Sequence, residues 1–420
     1  MNTFTDLILL IGTNPLPNFI VAEYFLKNNN ALQRIWFVYS EETGKQASTK
    51  KQADNLEDIL KKIYSNTISF TLNGVALSDV SNAKVIKENT DEKLIGRLPH
   101  GAHVHLNYTG GTKAMGTHVY RTLEQDSTKN LIRSYSYLDG RNFQIVNDEG
   151  LIIATDLRKE VSISFIKLIN LHGFKRKNEP SDSLFNSAVT IFRRTIEQSQ
   201  LDGYFQADGG YDRTLFENND GYGDLAKKKT ALKDNLKTHL AKGIFLEVVQ
   251  AMPGEYQLFD KSGNFVEPSS NKKCEYAIEF LDGKWFEEYV YAALKNTLLL
   301  SNVVIDKNWV IDKTGWTTDF EMDVTLLNGY QLIGISCTTS DKTHVCKSKG
   351  FEIILRTRQI GGDEAKAVLI TRLCDEQKRR LQDVLELNTG ATSGNILVLG
   401  KNDLKEELLK QAIKNFIQQD

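Results

Sequence analysis

The sequence predicts a mixed α/β protein with more than one domain, and three observations support this prediction. Apolar strand-like runs alternate with helical stretches through residues 1–158, which is typical of a parallel sheet covered by helices. A β-hairpin pattern with acidic positions occupies residues 319–338. The chain has 420 residues, which is too long for one small core, so two or three domains are expected.

The composition restricts the class of protein. Hydrophobic residues make up 40% and charged residues 25% of the chain, as in ordinary globular proteins. The formal net charge is -2, so any nucleic-acid binding must come from a local patch. The four cysteines form no Cys-x-x-Cys pair, which argues against a zinc site or a disulfide framework. No apolar run has membrane-spanning length and no signal peptide is recognisable, so we expect a cytoplasmic protein without membrane association.

The first elements follow the order strand, loop, helix, strand. A buried strand over Asp6–Gly12 leads into a loop that carries Thr13 and Asn14, and the next strand ends at Ser40. Ligands of parallel α/β sheets bind where strands end, so these three side chains should share one edge. Later strands are predicted at four places, over Ile68–Leu72, His103–Leu106, Ser134–Tyr137 and Phe143–Val146.

The most informative stretch is the run from Asn107 to Met115, Asn-Tyr-Thr-Gly-Gly-Thr-Lys-Ala-Met. A strand enters a glycine turn there and a helix follows through about Leu123, a geometry that presents backbone N–H groups to an anion. Gly110 and Gly111 permit close approach, and Lys113 supplies a positive charge. The spacing differs from a Walker A loop. From the residues alone, phosphate binding and an ordinary helix-capping turn are equally good interpretations.

This motif resembles the second ligand-binding motif of CARF domains, the Rossmann-like sensors of cyclic oligoadenylate in type III CRISPR immunity. The resemblance covers residues 1–158, where CARF domains also place a first ligand loop after the first strand. It implies a cyclic oligoadenylate, most consistently cyclic tetra-adenylate, as allosteric activator bound across a homodimer, because a two-fold ring fits two copies of one loop set. The expected contacts are Thr13, Asn14, Ser40, Asn107, Thr109, Gly110, Gly111, Thr112 and Lys113.

Residues 159–271 are expected to form a helical connector, with a winged helix as one form of it. Helical spacing runs from Val161 to a glycine stop at Gly173, and a second helix is predicted over Ser181–Gln200. Asp202–Gly223 has the composition of a loop. Leu225–Leu240 carries three consecutive lysines, for which a solvated helix face is favoured over a nucleic-acid contact.

The last third contains a helix that opens at Gly283 and the acidic hairpin. A two-residue loop at Asn328-Gly329 would place Asp323 opposite Gly334, Glu321 opposite Ser336 and Asp319 opposite Thr338. The three carboxylates would then share one face of a strand, which is costly without a cation, and hard oxygen ligands suit Mg²⁺ or Mn²⁺. An acidic but merely solvated sheet face explains the pattern equally well.

Gly-x-Trp-x-Glu on a helix, Glu-x-Asp on a strand and a central strand ending in Ser-Cys resemble the restriction-endonuclease-like (PD-D/ExK) fold. The likeness is strongest to the nuclease domain fused to CARF sensors in CRISPR ancillary nucleases, and it implies a metal-dependent endonuclease domain over residues 272–420. By this resemblance Glu287 and Asp323 bind the metal, with Glu321 in support. The metal would activate water for phosphodiester cleavage.

The sequence departs from that pattern where Glu-x-Lys is expected, because Ser336-Cys337-Thr338 stands there. Lys342, Lys347 or Lys349 would have to supply the lysine, and Lys349 is favoured. Alternatively, hydroxyls such as that of Ser336 accommodate a metal-bound water, or the domain is inactive. The expected function is a cyclic-oligoadenylate-activated nuclease that cleaves DNA, RNA or both. The alternatives are a ligand-controlled nucleic-acid-binding regulator with an inactive nuclease domain, and a ring nuclease that degrades the cyclic oligoadenylate.

Overall fold

The computed structural model describes residues 3–43, 47–64, 70–179, 183–205, 243–260, 262, 264–266, 268–295, 302–313, 319–390 and 394–419. The predicted helix over Leu225–Leu240, with its lysine run, lies outside the described residues, as does the loop predicted to end at Gly223 except for its first residues.

The N-terminal part folds around a mainly parallel sheet in the order β3-β2-β1-β4-β5-β6-β7. The first five strands pair in parallel, and β6 and β7 continue the sheet in antiparallel fashion. The strands are β1 Asp6–Leu10, β2 Arg34–Ser40, β3 Thr71–Leu77, β4 His103–Asn107, β5 Ile132–Asp139, β6 Gln144–Asn147 and β7 Ile152–Ala154. The helices of this part are α1 Leu16–Asn28, α2 Lys50–Tyr64, α3 Ala83–Lys93 and α4 Lys113–Gln125, with a 3₁₀ turn at Ile95–Arg97. The Rossmann-like prediction is confirmed.

Strand β1 is the centre of this sheet and is buried on both faces. Leu7 and Leu9 belong to one apolar cluster, and Ile8 and Leu10 belong to another on the opposite side. A continuous apolar run is the expected signature of such a strand. Asp6 is also buried, and its carboxylate accepts hydrogen bonds from Arg34 Nε at 2.5 Å and from the indole of Trp36 at 2.9 Å.

The second sheet has the order β13-β12-β11-β10-β9-β8. Strands β8 to β11 pair in antiparallel fashion, and β11 to β13 in parallel. The strands are β8 Phe174–Arg176, β9 Val303–Lys313, β10 Phe320–Asn328, β11 Gln331–Cys337, β12 Lys366–Ile370 and β13 Ile396–Leu399. The helices are α5 Leu157–Glu160, α6 Phe165–Leu171, α7 Asn186–Glu197, α8 Gly243–Ala251, α9 Asn271–Glu279, α10 Trp285–Lys295, α11 Thr343–Gly361, α12 Asp375–Thr389 and α13 Glu406–Gln418. The predicted second α/β sheet is thereby confirmed.

The described part of segment 159–271 packs with this second sheet. Its strand β8 extends the sheet beside β9. Its helix α7 packs on α10, where the ring of Phe192 stacks on Trp285 with a centroid distance of 3.8 Å. A π-helical turn at Phe280–Lys284 joins α9 to α10. Such turns are often found at functional sites.

Three local predictions differ from the structure. The third strand occupies Thr71–Leu77 rather than Ile68–Leu72. The helix predicted from Val161 begins only at Phe165, where Ser164 caps it by accepting from the N–H of Lys167. The next helix is shorter than predicted and covers Asn186–Glu197. A capping side chain sets the start of the first helix, whereas the helix at Asn186 begins without one. Apolar spacing alone does not reveal these boundaries.

The hairpin register was also predicted wrongly. Asn328 pairs with Gln331, so Gly329 and Tyr330 form the turn in place of Asn328-Gly329. Gly329 has the left-handed backbone (φ +64°), and Tyr330 is buried with its ring centroid 6.3 Å from that of Phe143 in the first sheet. Burial of this tyrosine outweighs the local Asn-Gly preference. The pairing moves by two residues, an even number, so the paired residues Val324–Asn328 keep the predicted alternation relative to β11.

The described helices include none that is long and apolar enough to cross a membrane.

The turn at Gly329 yields a stability prediction. A Cβ there would lie 2.1 Å from the carbonyl oxygen of Arg158, whereas a Cβ at Gly101, which has a similar φ of +70°, would meet nothing within 4 Å. We expect Gly101→Ala to cost about 1 kcal/mol for backbone strain. Gly329→Ala should cost about 2 kcal/mol more because of the clash. Thermal unfolding of both variants checks this, and equal melting temperatures would contradict the tight contact.

Candidate functional site

The two predicted ligand loops meet at the carboxyl ends of β1 and β4. A Cβ on Gly110 would lie 2.0 Å from the carbonyl oxygen of Leu10, and one on Gly12 would lie 3.0 Å from the backbone nitrogen of Gly111. Asn18 Nδ2 donates to the same Leu10 oxygen at 2.9 Å. The glycine pair is therefore required by loop-to-loop contact, and Gly111 also has a left-handed backbone (φ +73°).

The start of α4 has a helix cap and an exposed lysine, the two features that the motif predicts. Thr112 caps the helix, since its hydroxyl accepts from the backbone N–H of Met115 at 3.1 Å. Lys113 follows it and is exposed, and Thr13 of the first loop is also exposed. Asn14 uses its side-chain oxygen to accept from the N–H of Leu16 at 3.0 Å, which orders the start of α1. This edge can therefore offer a cationic side chain, a hydroxyl and a helix N-terminus to an anion.

Three of the predicted contacts hold the loops in place: Asn107 and Ser40, which are buried, and Thr109, which is half-buried. Asn107 donates from Nδ2 to the hydroxyl of Ser136 at 2.9 Å, and its Oδ1 accepts from the Thr109 hydroxyl at 2.8 Å. Thr109 Oγ1 in turn accepts from the backbone N–H of Leu138 at 2.6 Å. Ser40 is 3% exposed and donates to the carbonyl of Ala47 at 3.0 Å. Their polar groups are engaged within the protein.

A tyrosine cluster beside the ligand motif was missed by the sequence reasoning. The hydroxyls of Tyr108 and Tyr120 donate to the two carboxylate oxygens of Asp148 at 2.8 and 2.7 Å. Tyr135 packs against Tyr120 with ring centroids 4.2 Å apart. Burial raises the pKa of Tyr108, and for Tyr120 the hydrogen bond to Asp148 is the larger cause of its raised pKa. The alternation of tyrosines along β5 is the sequence pattern from which this cluster could have been predicted.

The acidic hairpin brings Asp323 to the end of β11. Asp323 precedes Val324, which pairs with Ile335. Its Oδ2 accepts hydrogen bonds from the backbone N–H of Cys337 at 2.7 Å and from the Ser336 hydroxyl at 3.2 Å. Burial raises the pKa of Asp323 to about 6, although the Cys337 N–H and the charge of Lys349 act to lower it. The carboxylate lies at the floor of a narrow cleft.

Glu287 and Glu288 are adjacent on α10 but have different surroundings. Glu288 is neutralised by Lys307 Nζ at 2.5 Å and accepts from the Ser183 hydroxyl at 2.6 Å. Glu287 Oε2 is shielded from solvent and has no hydrogen-bond partner. Burial, followed by the negative charges of Asp323 and Glu321, raises the pKa of Glu287 well above its ordinary value. The second carboxylate is therefore poised for a cation.

The predicted face of three carboxylates is only partly correct. Asp319 points to Lys177, with which it forms an exposed ion pair of 2.7 Å. Asp323 and Glu321 share a cleft of about 50 Å³, and its lining consists of Glu321, Asp323, Ser336, Lys349, Glu352, Ile353 and Arg356. The apolar residues that alternate with the polar ones along the hairpin, Phe320, Met322, Val324, Ile333, Ile335 and Cys337, are all buried. Phe320 and Met322 pack in the cluster that the two sheets share, and the other four pack in a second cluster.

Among the candidate lysines, the structure brings Lys349 into this cleft. Lys347 instead lies over the ring of Phe351, with 5.7 Å between Nζ and the ring centroid. Lys284, which the sequence reasoning did not consider, donates to Glu279 at 2.9 Å. Burial acts to lower the pKa of Lys284, but the Glu279 hydrogen bond and the charges of Glu321 and Glu287 outweigh it and raise the value.

The chemistry of the donor set fits a hard divalent cation. Glu287 supplies an unpartnered buried oxygen, and Asp323 and Glu321 supply further carboxylate oxygens, the ligands that Mg²⁺ and Mn²⁺ prefer. Within the described ranges, no group of three or more His, Cys, Asp or Glu side chains converges closely enough to hold a metal ion.

The buried carboxylates predict an unusual pH dependence of stability. An acid whose pKa is raised by folding favours the native state at low pH, and this contribution disappears as pH rises through the folded pKa. For metal-free protein in EDTA, we expect Asp323→Asn to stabilise the fold by about 1–3 kcal/mol at about pH 8 and by little at about pH 4.

Asp319→Asn on the same strand is the matched control, because the ion pair with Lys177 lowers the pKa of Asp319. This control should gain no stability at high pH. Melting temperatures across the pH range check both variants. A constant difference between Asp323→Asn and the unchanged protein would contradict the raised pKa of Asp323.

Comparisons with known proteins agree with the N-terminal fold. Residues 7–163 match the family model described as the Card1 CARF domain. Protein VC1899 from Vibrio cholerae is similar in structure over 98% of this chain and 97% of its own, with 17% sequence identity and a TM-score of 0.64. Enterococcus italicus Csm6 bound to cyclic hexa-2'-fluoro-hexa-dAMP aligns over 100% of this chain and 88% of its own, with 13% identity and a TM-score of 0.25. No curated protein matches the chain.

The VC1899 comparison shows a shared fold over nearly the whole chain, whereas the low TM-score of the Csm6 comparison carries no argument. The family match covers both loops of the ligand edge. The prediction of a CARF-type domain in the N-terminal part of the chain is therefore confirmed for residues 7–163.

Proposed function

We propose that this protein is a cyclic-oligoadenylate-activated, metal-dependent nuclease of type III CRISPR defence. The observation that carries the proposal is the cleft in which Asp323 and Lys349 lie together, next to the unpartnered buried oxygen of Glu287. Carboxylates that burial drives toward neutrality are costly to retain without a cation or a catalytic task. The PD-D/ExK resemblance supports a nuclease as the domain that would use them.

On the sensor side, the ligand edge would bind cyclic tetra-adenylate across a homodimer. Lys113 and the N-terminus of α4 would contact a phosphate, and Thr13 with Thr112 would donate to phosphate or ribose oxygens. Asn107, Thr109 and Ser40 would act indirectly, because their polar groups already fix the loops. The loops of the two protomers would surround one two-fold ring.

In the nuclease cleft, Glu287 and Asp323 would hold Mg²⁺ or Mn²⁺, with Glu321 in support. The metal would supply Lewis acidity and an activated water. Glu287 and Asp323 must lose their protons before they can hold the metal. Because the pKa values of both are raised, metal binding is favoured at higher pH. Lys349 would take the place of the lysine in Glu-x-Lys and balance the charge of the phosphodiester. The Ser336 hydroxyl orients Asp323.

The two sites are joined by one helix, which supports ligand control of the cleft. Asn14 of the first ligand loop lies beside Gly362, since a Cβ there would be 2.5 Å from Asn14 Nδ2. Gly362 caps the carboxyl end of α11, and Lys349 lies on the same helix about 20 Å away. Glu364 follows Gly362 in sequence and lies against Gly140 of the N-terminal part. Burial raises the pKa of Glu364. Ligand contact with Asn14 would therefore bias the position of α11.

One observation favours the alternative of an inactive nuclease domain. Two protein donors, the Ser336 hydroxyl and the Cys337 N–H, already hold Oδ2 of Asp323, so a metal would have to bind the other oxygen or displace them. A chain that has lost Glu-x-Lys would then act as a cyclic-oligoadenylate-responsive nucleic-acid binder. Ligand-dependent binding without cleavage would distinguish this alternative.

The direct test is cleavage of labelled single-stranded RNA, single-stranded DNA and supercoiled plasmid with Mn²⁺, with and without cyclic tetra-adenylate. We expect cleavage that requires both the metal and the ligand. Asp323→Ala should reduce it at least about 100-fold, because a metal-binding carboxylate is lost. Asp319→Ala, on the same strand but paired with Lys177, should retain full activity.

Lys349→Ala and Lys347→Ala form a second pair of variants. We expect Lys349→Ala to impair cleavage and Lys347→Ala, the control, to retain it. Full cleavage by Asp323→Ala would disprove the assignment. Measuring the intact cyclic oligoadenylate in the same reactions tests the ring-nuclease alternative, which would consume the ligand without cleaving the polymers.

Coupling through α11 can be tested at its carboxyl-terminal glycine. Gly362→Ala would insert a methyl group against Asn14, and a side chain also strains the backbone there (φ +77°, ψ -163°), so the melting temperature of this variant is measured beside its activity. Gly390→Ala at the end of α12 meets nothing within 4 Å and has the milder left-handed backbone (φ +57°, ψ +23°). We expect Gly362→Ala to change the ligand concentration for half-maximal cleavage by about 5–150-fold, the usual range of allosteric coupling. Gly390→Ala should leave it unchanged, and an equal shift in both would refute the coupling.

A further inference from the structure

A second pocket lies beside the carboxylate cleft and shares Glu321 with it. The cavity has a volume of about 500 Å³, within the range of small-molecule sites. Its walls are formed in part by Leu184, Phe185, Tyr276 and Asn308. Neither the metal-binding assignment nor the ligand edge uses these residues. Because the pocket and the cleft meet at Glu321, whatever occupies the pocket is adjacent to the reacting phosphodiester.

Asn308 lines this pocket and has a side-chain oxygen without a protein partner. Its Oδ1 is shielded from solvent and has no hydrogen-bond partner. Its backbone is held in the left-handed region (φ +53°), and its carbonyl accepts from Asn178 Nδ2 at 2.6 Å and from Arg176 at 3.3 Å. Asparagine tolerates this conformation better than most residues. The backbone is thus fixed by neighbours while the side-chain amide is left for a ligand.

The pocket also provides aromatic and apolar surface. Tyr276 is 38% exposed and Leu184 is 47% exposed, both unusual for large side chains next to a cavity. Phe185 packs on Phe280 with ring centroids 4.3 Å apart, which fixes its orientation. Flat aromatic surface of this kind is what unpaired bases stack on in single-stranded nucleic-acid sites.

The charges of the pocket favour a base over a phosphate. Glu279 is paired with Lys284 at 2.9 Å, and Glu288 is paired with Lys307 at 2.5 Å. Glu321, Glu179 and Lys272 also line the pocket, so its carboxylates outnumber its cationic side chains. Lys272 Nζ lies 5.7 Å from the centroid of the Tyr276 ring. A phosphate would be repelled by these carboxylates, whereas a nucleobase is neutral and needs only stacking and an edge contact.

We propose that this pocket binds one unstacked nucleobase of the nucleic-acid strand next to the cleavage site and that Asn308 reads it. The base stacks on Tyr276, and the amide of Asn308 forms paired hydrogen bonds with its edge. An asparagine amide matches the adjacent donor and acceptor of adenine, so the pocket prefers adenine. This inference rests on the proposed nuclease function, because the strand must pass the cleft.

The test measures binding in the absence of divalent metal, so it does not depend on cleavage. Fluorescein-labelled oligoadenylate, oligocytidylate and oligouridylate are titrated with the full-length protein by fluorescence anisotropy, with cyclic tetra-adenylate in excess to occupy the sensor. We expect oligoadenylate to bind about 10-fold more tightly than the others, the value of one paired amide contact.

Two substitutions at Asn308 tolerate its backbone conformation. Asn308→Gly removes the amide without strain and should reduce the adenine preference to about 2-fold, since the paired contact is lost. Asn308→Asp keeps the shape but offers only acceptors, and it should shift the preference toward cytosine. Tyr276→Leu should weaken binding of all three oligonucleotides about 10-fold, whereas Tyr276→Phe should retain the affinity.

The outcomes separate the pocket from the nuclease. Equal affinities for the three oligonucleotides, or an unchanged adenine preference in Asn308→Gly, would overturn the base-reading pocket even if the protein cleaves. Base-dependent binding that Asn308→Gly abolishes would support the pocket even in a protein that never cleaves, in which case the proposed nuclease activity alone fails.

Discussion

The two sheets bury one continuous apolar cluster between them, and the positions of both candidate sites depend on it. Leu7 and Leu9 of β1 belong to the same cluster as Trp309 and Met322 of the second sheet. Phe165 bridges the two parts, with its ring centroid 5.5 Å from that of Trp309. Packed cores have discrete arrangements and do not deform continuously. A ligand that favours another docking of the sheets would therefore move the elements around the carboxylate cleft as a unit.

Helix α10 carries two adjacent glutamates, and the fold neutralises only one of them. Glu288 receives Lys307, whose side chain is only 7% exposed, while Glu287 keeps an unpartnered oxygen. A buried carboxylate without a partner lowers stability, and this cost is typical of functional sites. The contrast argues against Glu287 being a structural residue. The same reasoning applies to Asp323, whose two hydrogen bonds leave its pKa raised.

Sequence patterns predicted the sheets, the ligand edge and the cleft, but not the details that distant residues decide. Alternation correctly predicted that the apolar positions of the hairpin are buried, but they do not share one face, because Met322 packs in the cluster common to both sheets and Val324 packs in a second cluster. The register error of two residues means that Asp323 meets Ser336 instead of Gly334. Asn107 lies at the predicted edge, but its engagement by Ser136 depends on a partner 29 residues away. Asn308 has no local signal at all, because its pocket is built by other elements.

The replacement of Glu-x-Lys has a physical consequence for control of the cleft. A glutamate at position 336 would add a negative charge beside Asp323, whereas the Ser336 hydroxyl donates to that carboxylate. A lysine at position 338 would directly follow β11, an inner strand of the sheet. Lys349 instead stands on α11, whose carboxyl end touches the ligand loop through Gly362. The positive charge near Asp323 is thereby carried by a helix that also reaches the first loop, so a small displacement of α11 would alter the electrostatics of the cleft while the carboxylates stay in place.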